Sequence, residues 1–270
     1  MRPRDFPWRR AARQLAQPAH VAPRLLSRVL RQVDVPPVAL ISVYRAKHAP
    51  VLEQLLRRLP PDSEVALWAL DEPSSALERR TVGSGRGTRT ELLNRLQRHV
   101  AADTTLLVAD DDVAISGREL RLFLRACRAA GLDLAQPAHL ARSYTSWPFV
   151  RQRLFTYVRL TRFVEQGPLM ALSPRGVREC FPLPEELGMG WGLEALWARL
   201  ADGRLRLGIV DAAGMRHLSP VSAGYDRGEQ EARGRATLAA TSFSSFSELQ
   251  VTNAAWVMGR PRPAWVTVGA

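Results

Sequence analysis

From Val38 onward the chain alternates short apolar runs with amphipathic stretches, and nothing else in it limits the fold as strongly. "VALISVY" (Val38 to Tyr44) predicts a buried strand. "APVLEQLLRRL" (Ala49 to Leu59) predicts a helix with Val51, Leu52, Leu55, Leu56 and Leu59 on one face. "EVALWAL" (Glu64 to Leu70) predicts a second strand, ending at Asp71. "GTRTELLNRLQRHV" (Gly87 to Val100) predicts a helix capped near Thr88 or Thr90. "TLLVA" (Thr105 to Ala109) is then a third strand. Strands alternating with helices imply an α/β fold, a mainly parallel central sheet with helices on both faces.

In such sheets ligands bind beyond the carboxyl ends of the strands. Arg45, Asp71 and the triplet Asp110-Asp111-Asp112 all fall at such ends. The triplet is unusual in a chain with a net charge of +12. It is not needed as a helix cap, because Ser116 and Glu119 already form a capping box for the next helix. A solvated turn needs one carboxylate, and three neighbours repel each other. A divalent cation removes that repulsion, and hard cations prefer one or two carboxylates plus substrate phosphates. Strand alternation points Asp110 and Asp112 the same way. A D-x-D at a strand end also fits a phosphatase of the haloacid-dehalogenase type. That family carries the motif on its first strand and uses a later lysine, and this chain has no lysine after Lys47.

The second half is less regular. "ELRLFLRACRAAG" (Glu119 to Gly131) predicts a helix with a glycine stop. "LDLAQPAHL" and "GPLMALS" read as short strands. Between them Tyr144 to Phe163 is rich in aromatics and arginine, fitting either a binding site or packing with a mobile lid. "EELGMGWGLEALWARLAD" reads as a glycine-rich turn feeding a helix, and "LRLGIVDAAGMRHLSP" as a strand, a turn and then His217. Three segments follow: a basic, partly helical extension over 1–36, a main α/β domain over 37–225, and a C-terminal extension or tail over 226–270.

The basic prefix carries eight arginines against Asp5 and Asp34. Val21, Leu25, Leu26, Val29, Leu30 and Val33 recur in it at helical spacing. That stripe suits a helix docked on the main domain or a segment at an anionic membrane surface. No run of 18 apolar residues and no secretory leader is present, so the expected location is cytoplasmic, at most peripheral at the inner membrane surface. Cys127 and Cys180 make no disulfide framework. Nucleic acid is not an expected partner, because the acidic triplet would repel phosphates unless a metal were bound.

Taken in order, "ISVYRAKHAPVLEQLL", "VADDDV", "GMGWGLEALWARL" and "GMRHLSP" resemble glycosyltransferases of the GT-A fold, with the G-W-G-[GL]-[ED] segment of the β-1,4-galactosyltransferase type. "AQPAH", "RFVEQGP", "GWGLE" and "GIVDAAGMRH" are similar to an uncharacterised glycosyltransferase-like family. The resemblance covers about Val38 to Pro220. It implies a single Rossmann-like, nucleotide-sugar-binding domain. It implies Mn²⁺ or Mg²⁺ held by Asp110, Asp112 and His217, and a donor site including Tyr44, Arg45, Asp71, Arg89 and Asp111, with Arg86 nearby. Glu165, Gly190, Trp191 and Gly192 would meet the sugar or acceptor, and the glycines would leave the indole free to stack. Glu194 would be the general base of an inverting displacement; Glu165 is the runner-up. The motif normally has a second acid where this chain has Ala195, which leaves base and stereochemistry open. The implied partners are a nucleoside-diphosphate sugar and a glycan, lipid-linked or small-molecule acceptor. Two other readings share these residues: a phosphate-handling enzyme, either phosphatase or nucleotidyltransferase, and a non-enzymatic basic module.

Overall fold

A computed structural model of the chain describes residues 30, 33–35, 37–201, 203–221, 225–257 and 264–267, the side chains of 257 and 264–267 excepted. The first half follows the predicted alternation, with one strand, Thr81–Ser84, that the sequence did not predict. Strand β1 (Ala39–Tyr44) leads to helix α1 (Ala49–Leu56), then β2 (Glu64–Ala69), β3 (Thr81–Ser84), α2 (Arg89–Gln97) and β4 (Leu106–Asp110). β1 lies between β2 and β4, parallel to both. Thr88 caps α2, its side chain accepting the Glu91 N–H.

After the triplet come a short β5 (Val113–Ala114) and α3 (Gly117–Ala130). The capping box of Ser116 and Glu119 opens α3 as predicted. There follow β6 (Leu134–His139), β7 (Thr156–Thr161), β8 (Leu169–Leu172), α4 (Pro174–Cys180), α5 (Leu193–Ala201) and β9 (Leu207–His217). The last elements are α6 (Arg227–Ala239), α7 (Phe246–Leu249), β10 (Thr252–Val257) and β11 (Ala264–Thr267).

The sheet order is β11-β10-β7-β9-β6-β8-β4-β1-β2-β3, with β5 paired to the end of β9. β1, β2, β3, β4, β6, β9 and β10 share one direction, while β7, β8 and β11 run against it. The sheet is therefore mainly parallel, and the carboxyl ends of β1, β4, β6 and β9 meet at one edge.

Helices cover both faces. α1 and α3 pack on one, where Leu30, Leu52, Leu55, Phe123 and Met215 share a core. α2, α4 and α5 pack on the other around Ile41, Val108, Leu172 and Trp197. The sheet is apolar on both faces, which is why its central strands read as continuous apolar runs.

Three expectations need correction. The predicted turn after "LRLGIVD" does not form: β9 runs unbroken through to His217. Tyr144 to Phe163 contains β7, whose Arg159 is fully buried and donates to both Asp211 carboxylate oxygens at 2.7 and 3.1 Å. The stretch read as a C-terminal extension or tail is built into the domain, because β10 pairs with β7 and α6 packs on the glycine-rich turn. Of the predicted prefix helix, Val21, Leu25, Leu26 and Val29 lie outside the described residues. Leu30 is buried in the core and Val33 packs against it. Among the described residues no helix is long and apolar enough to cross a membrane.

Candidate active site

The aspartate triplet stands at the end of β4, and each carboxylate faces a different partner. Asp110 Oδ1 accepts from Arg89 Nε at 3.2 Å and Nη2 at 3.0 Å. Arg89 opens α2, and its Nη1 donates to Gln166 Oε1 at 2.5 Å. Asp111 turns the other way. Its Oδ2 accepts the Arg45 N–H at 2.8 Å, and its Oδ1 lies 3.0 Å from His48 Nδ1, out of line for a full hydrogen bond. Burial raises the Asp111 pKa against the pull of these partners. Asp111 thus ties the loop after β1 to the end of β4.

Asp112 faces His217 across the β5–β9 pairing. Oδ1 lies 3.1 Å from His217 Nε2, and Oδ2 accepts the Ser219 N–H at 2.9 Å. Burial pushes the Asp112 pKa up, but His217 and Ser219 outweigh it and the net shift is down. His217 shows the mirror image: burial opposes its protonation, yet Asp112, Asp110 and Glu165 together raise its pKa. Each charge holds the other.

The expected three-ligand set is not assembled. Among the described residues no group of three acidic, histidine or cysteine side chains is arranged to hold a metal ion. Asp110 is committed to Arg89, which leaves Asp112 and His217 as a facing oxygen–nitrogen pair. That donor set suits Mn²⁺ better than Mg²⁺, which prefers oxygen alone, and it leaves positions for substrate phosphates.

The glycine-rich turn adjoins this group through Gln166. Gly190 (φ +94) and Gly192 (φ +106) adopt backbone conformations that side chains rarely reach. A Cβ on Gly190 would stand 2.7 Å from Gln166 Oε1, and one on Gly192 would stand 2.9 Å from Thr237 Cβ. Gly192→Ala is therefore expected to cost roughly 1–3 kcal/mol, read as a lowered urea midpoint at unchanged slope.

Glu194, in the first turn of α5, is buried. Its Oε2 accepts the Gly192 N–H at 3.2 Å and its Oε1 the Gln166 N–H at 3.4 Å. Burial pushes its pKa up to about 7, the hydrogen bonds opposing and the nearby Glu165 charge adding to the rise.

Two residues have partners of their own. The Trp191 indole Nε1 donates to Tyr225 Oη at 3.0 Å, and the Arg227 guanidinium lies over the ring at 5.9 Å. Tyr44, expected at the donor site, is fully buried with its hydroxyl 2.9 Å from Thr81 Oγ1 and accepting the Ser74 N–H. Asp71 is exposed and holds the Ala46 N–H at 2.8 Å. Arg45 is half-buried at the mouth, and Arg86 is exposed in the loop before α2.

Glu165 has company that the sequence did not reveal. Thr145 Oγ1 lies within 3.1 Å of both its oxygens. His139, at the carboxyl end of β6, places Nε2 3.2 Å from Glu165 Oε2, though out of line for a full hydrogen bond. His139 Nδ1 lies 2.7 Å from Ser143 Oγ, which accepts the His217 N–H at 2.8 Å. A buried chain of polar groups therefore links Glu165 to the backbone of His217. The available signal was position: His139 ends a strand, as Asp110 does.

This arrangement is the GT-A fold, the Rossmann-like architecture of nucleotide-sugar transferases. Residues 1–349 of S. aureus TarS with UDP-GlcNAc superpose with a TM-score of 0.54 at 14% identity, over 76% of this chain and 66% of that one. GalNAc-T7 with UDP, GalNAc and Mn²⁺ gives a TM-score of 0.51 at 9% identity, over 70% of this chain and 45% of that one. The chain thus spans about half of the GalNAc-T7 structure and two thirds of the TarS one. No family model and no curated protein matches the chain in sequence.

Proposed function

We propose that the chain is a glycosyltransferase that moves a sugar from a nucleoside-diphosphate sugar, UDP-linked as in the TarS and GalNAc-T7 complexes, to an acceptor hydroxyl. The observation that carries this reading is the Asp112–His217 pair at the carboxyl edge of a GT-A sheet, with Glu165 and Glu194 grouped beside it.

Asp112 and His217 would hold Mn²⁺, which when bound supplies positive charge to a departing diphosphate. Arg89, fixed between Asp110 and Gln166, adds a second cation on the same wall. Glu194 takes the proton from the acceptor hydroxyl as that oxygen attacks the anomeric carbon, and a pKa of about 7 matches this task near neutral pH. Glu165, oriented by Thr145 and His139, accepts hydrogen bonds from sugar hydroxyls. Attack on the face opposite the leaving diphosphate inverts the anomeric configuration.

Calorimetric titration of UDP with and without Mn²⁺ tests the reading. The expected result is binding that requires the metal, followed by sugar transfer or slow UDP-sugar hydrolysis. A folded protein that binds no nucleotide yet releases phosphate from a generic phosphoester would replace this reading with a phosphatase.

A further inference from the structure

We infer that the outer face of α3 is a docking surface for an anionic lipid membrane. Arg118, Arg121, Arg125 and Arg128 follow one another at three- and four-residue spacing. At 3.6 residues per turn they fall within an arc of about 80° and a length of about 15 Å. Leu120, Phe123, Leu124, Ala126, Cys127 and Ala130 fill the opposite side and are buried. Arg118, Arg121 and Arg128 are exposed, and Arg125 is half-buried.

Among the described residues Arg175, Arg178 and Arg199 of α4 and α5 are also exposed without an acidic partner, whereas several surface arginines elsewhere pair with an acid. Arg57 pairs with Glu53 at 2.7 Å, and Arg95 with Glu91, Arg227 with Glu231 and Arg233 with Glu229 each at 2.6 Å, all one turn apart. Among the described residues none of the four α3 arginines has an acidic partner. The one acid of α3, Glu119, is taken by the cap and sits about 100° from Arg118 around the axis. Like charges at this spacing destabilise an isolated helix, so the uncompensated row carries a cost that an anionic surface would turn into attraction.

The surroundings extend the positive face. Arg58 donates to the Ile115 carbonyl, and its side chain lies beside Gly117 with that of Arg121. Arg125 Nε donates to the Val33 carbonyl at 2.9 Å, so Val33 meets the domain on this face. A flat row on one helix suits a plane of headgroups. Tyr144 and Leu218 are large side chains left exposed, joined to the site through the Tyr144 N–H to the His217 carbonyl and the Leu218 N–H to the Asp112 carbonyl. Docking along α3 would bring Tyr144 and Leu218 toward the lipid surface.

The test is co-sedimentation of the full chain with phosphatidylcholine vesicles, with and without phosphatidylglycerol. Its comparison is the triple variant Arg118→Gln, Arg121→Gln, Arg128→Gln, checked for an unchanged thermal transition. None of the three touches the candidate active site. Wild type is expected to bind only the anionic vesicles, less as salt rises. At roughly fivefold per arginine, the triple variant should partition about 100-fold more weakly. Equal binding by wild type and variant would overturn the proposal and leave any binding to the prefix. Wild type ignoring anionic vesicles would also overturn it. So would duplex DNA binding more tightly than vesicles with the same dependence on the three arginines.

Discussion

Replacing Asp112 by asparagine is expected to weaken Mn²⁺-dependent UDP binding by at least about 100-fold, because losing even a group behind a metal ligand costs 10- to 100-fold. Asparagine is the informative substitution. Asp112 has two roles, one per oxygen: Oδ2 accepts the Ser219 N–H and Oδ1 faces His217. An asparagine oxygen can keep the Ser219 contact, so the loop after β9 stays in place while the charge is lost. Its amide then faces His217 and cannot share a cation with it. Asp110→Asn should behave differently. Asp110 holds Arg89, and Arg89 holds Gln166. Its loss should loosen that wall and lower UDP affinity while leaving the metal requirement in place. Calorimetry of both variants, each with and without Mn²⁺, separates the roles. A metal requirement surviving in Asp112→Asn but vanishing in Asp110→Asn would exchange them.

The contrast between those two aspartates marks where sequence reading stops. Strand alternation correctly put the triplet at a strand end, because a run such as "TLLVA" buried on both faces has few other interpretations. Alternation also implied that Asp110 and Asp112 act together. That inference assumes the extended geometry continues past Asp110, and β4 ends there. Beyond it, partners from distant segments decide: Arg89 from α2 for Asp110, His48 after β1 for Asp111, His217 from β9 for Asp112. The same limit hid β7, where the buried pair Arg159–Asp211 disguises a strand as a polar segment. It also hid α6, whose sequence is polar on most sides and whose place is set by Gly188, Gly192 and Trp191. His139 was within reach, since a polar residue closing a strand was the pattern that singled out Asp110.

Glu194→Gln should reduce the rate of transfer by roughly 10²- to 10⁴-fold while leaving UDP binding close to wild type, because the side chain serves the acceptor proton and not the diphosphate. Its pH behaviour gives a second and independent reading. With a pKa of about 7, Glu194 is active as the carboxylate, so wild-type kcat/KM should rise with pH through about 7 and level off above it. The same shift acts on stability with the opposite sense. The folded pKa lies above the unfolded value near 4.5, so the fold is favoured while Glu194 stays protonated. That advantage is full below about pH 4.5 and is lost as pH rises through 7, a change of about 3 kcal/mol at most. The loss in stability should therefore run between about pH 4.5 and 7 and level off where the rate passes its midpoint. In Glu194→Gln both should vanish together, which denaturant unfolding across that pH range can follow without any substrate. Glu165→Gln is the discriminating control. If Glu194 is the base, Glu165→Gln should weaken acceptor use while keeping the limb near pH 7, and its midpoint should fall slightly as the neighbouring charge is removed. A rate limb that disappears in Glu165→Gln and survives in Glu194→Gln would move the base to Glu165, and would make His139 and Thr145 the groups that orient it.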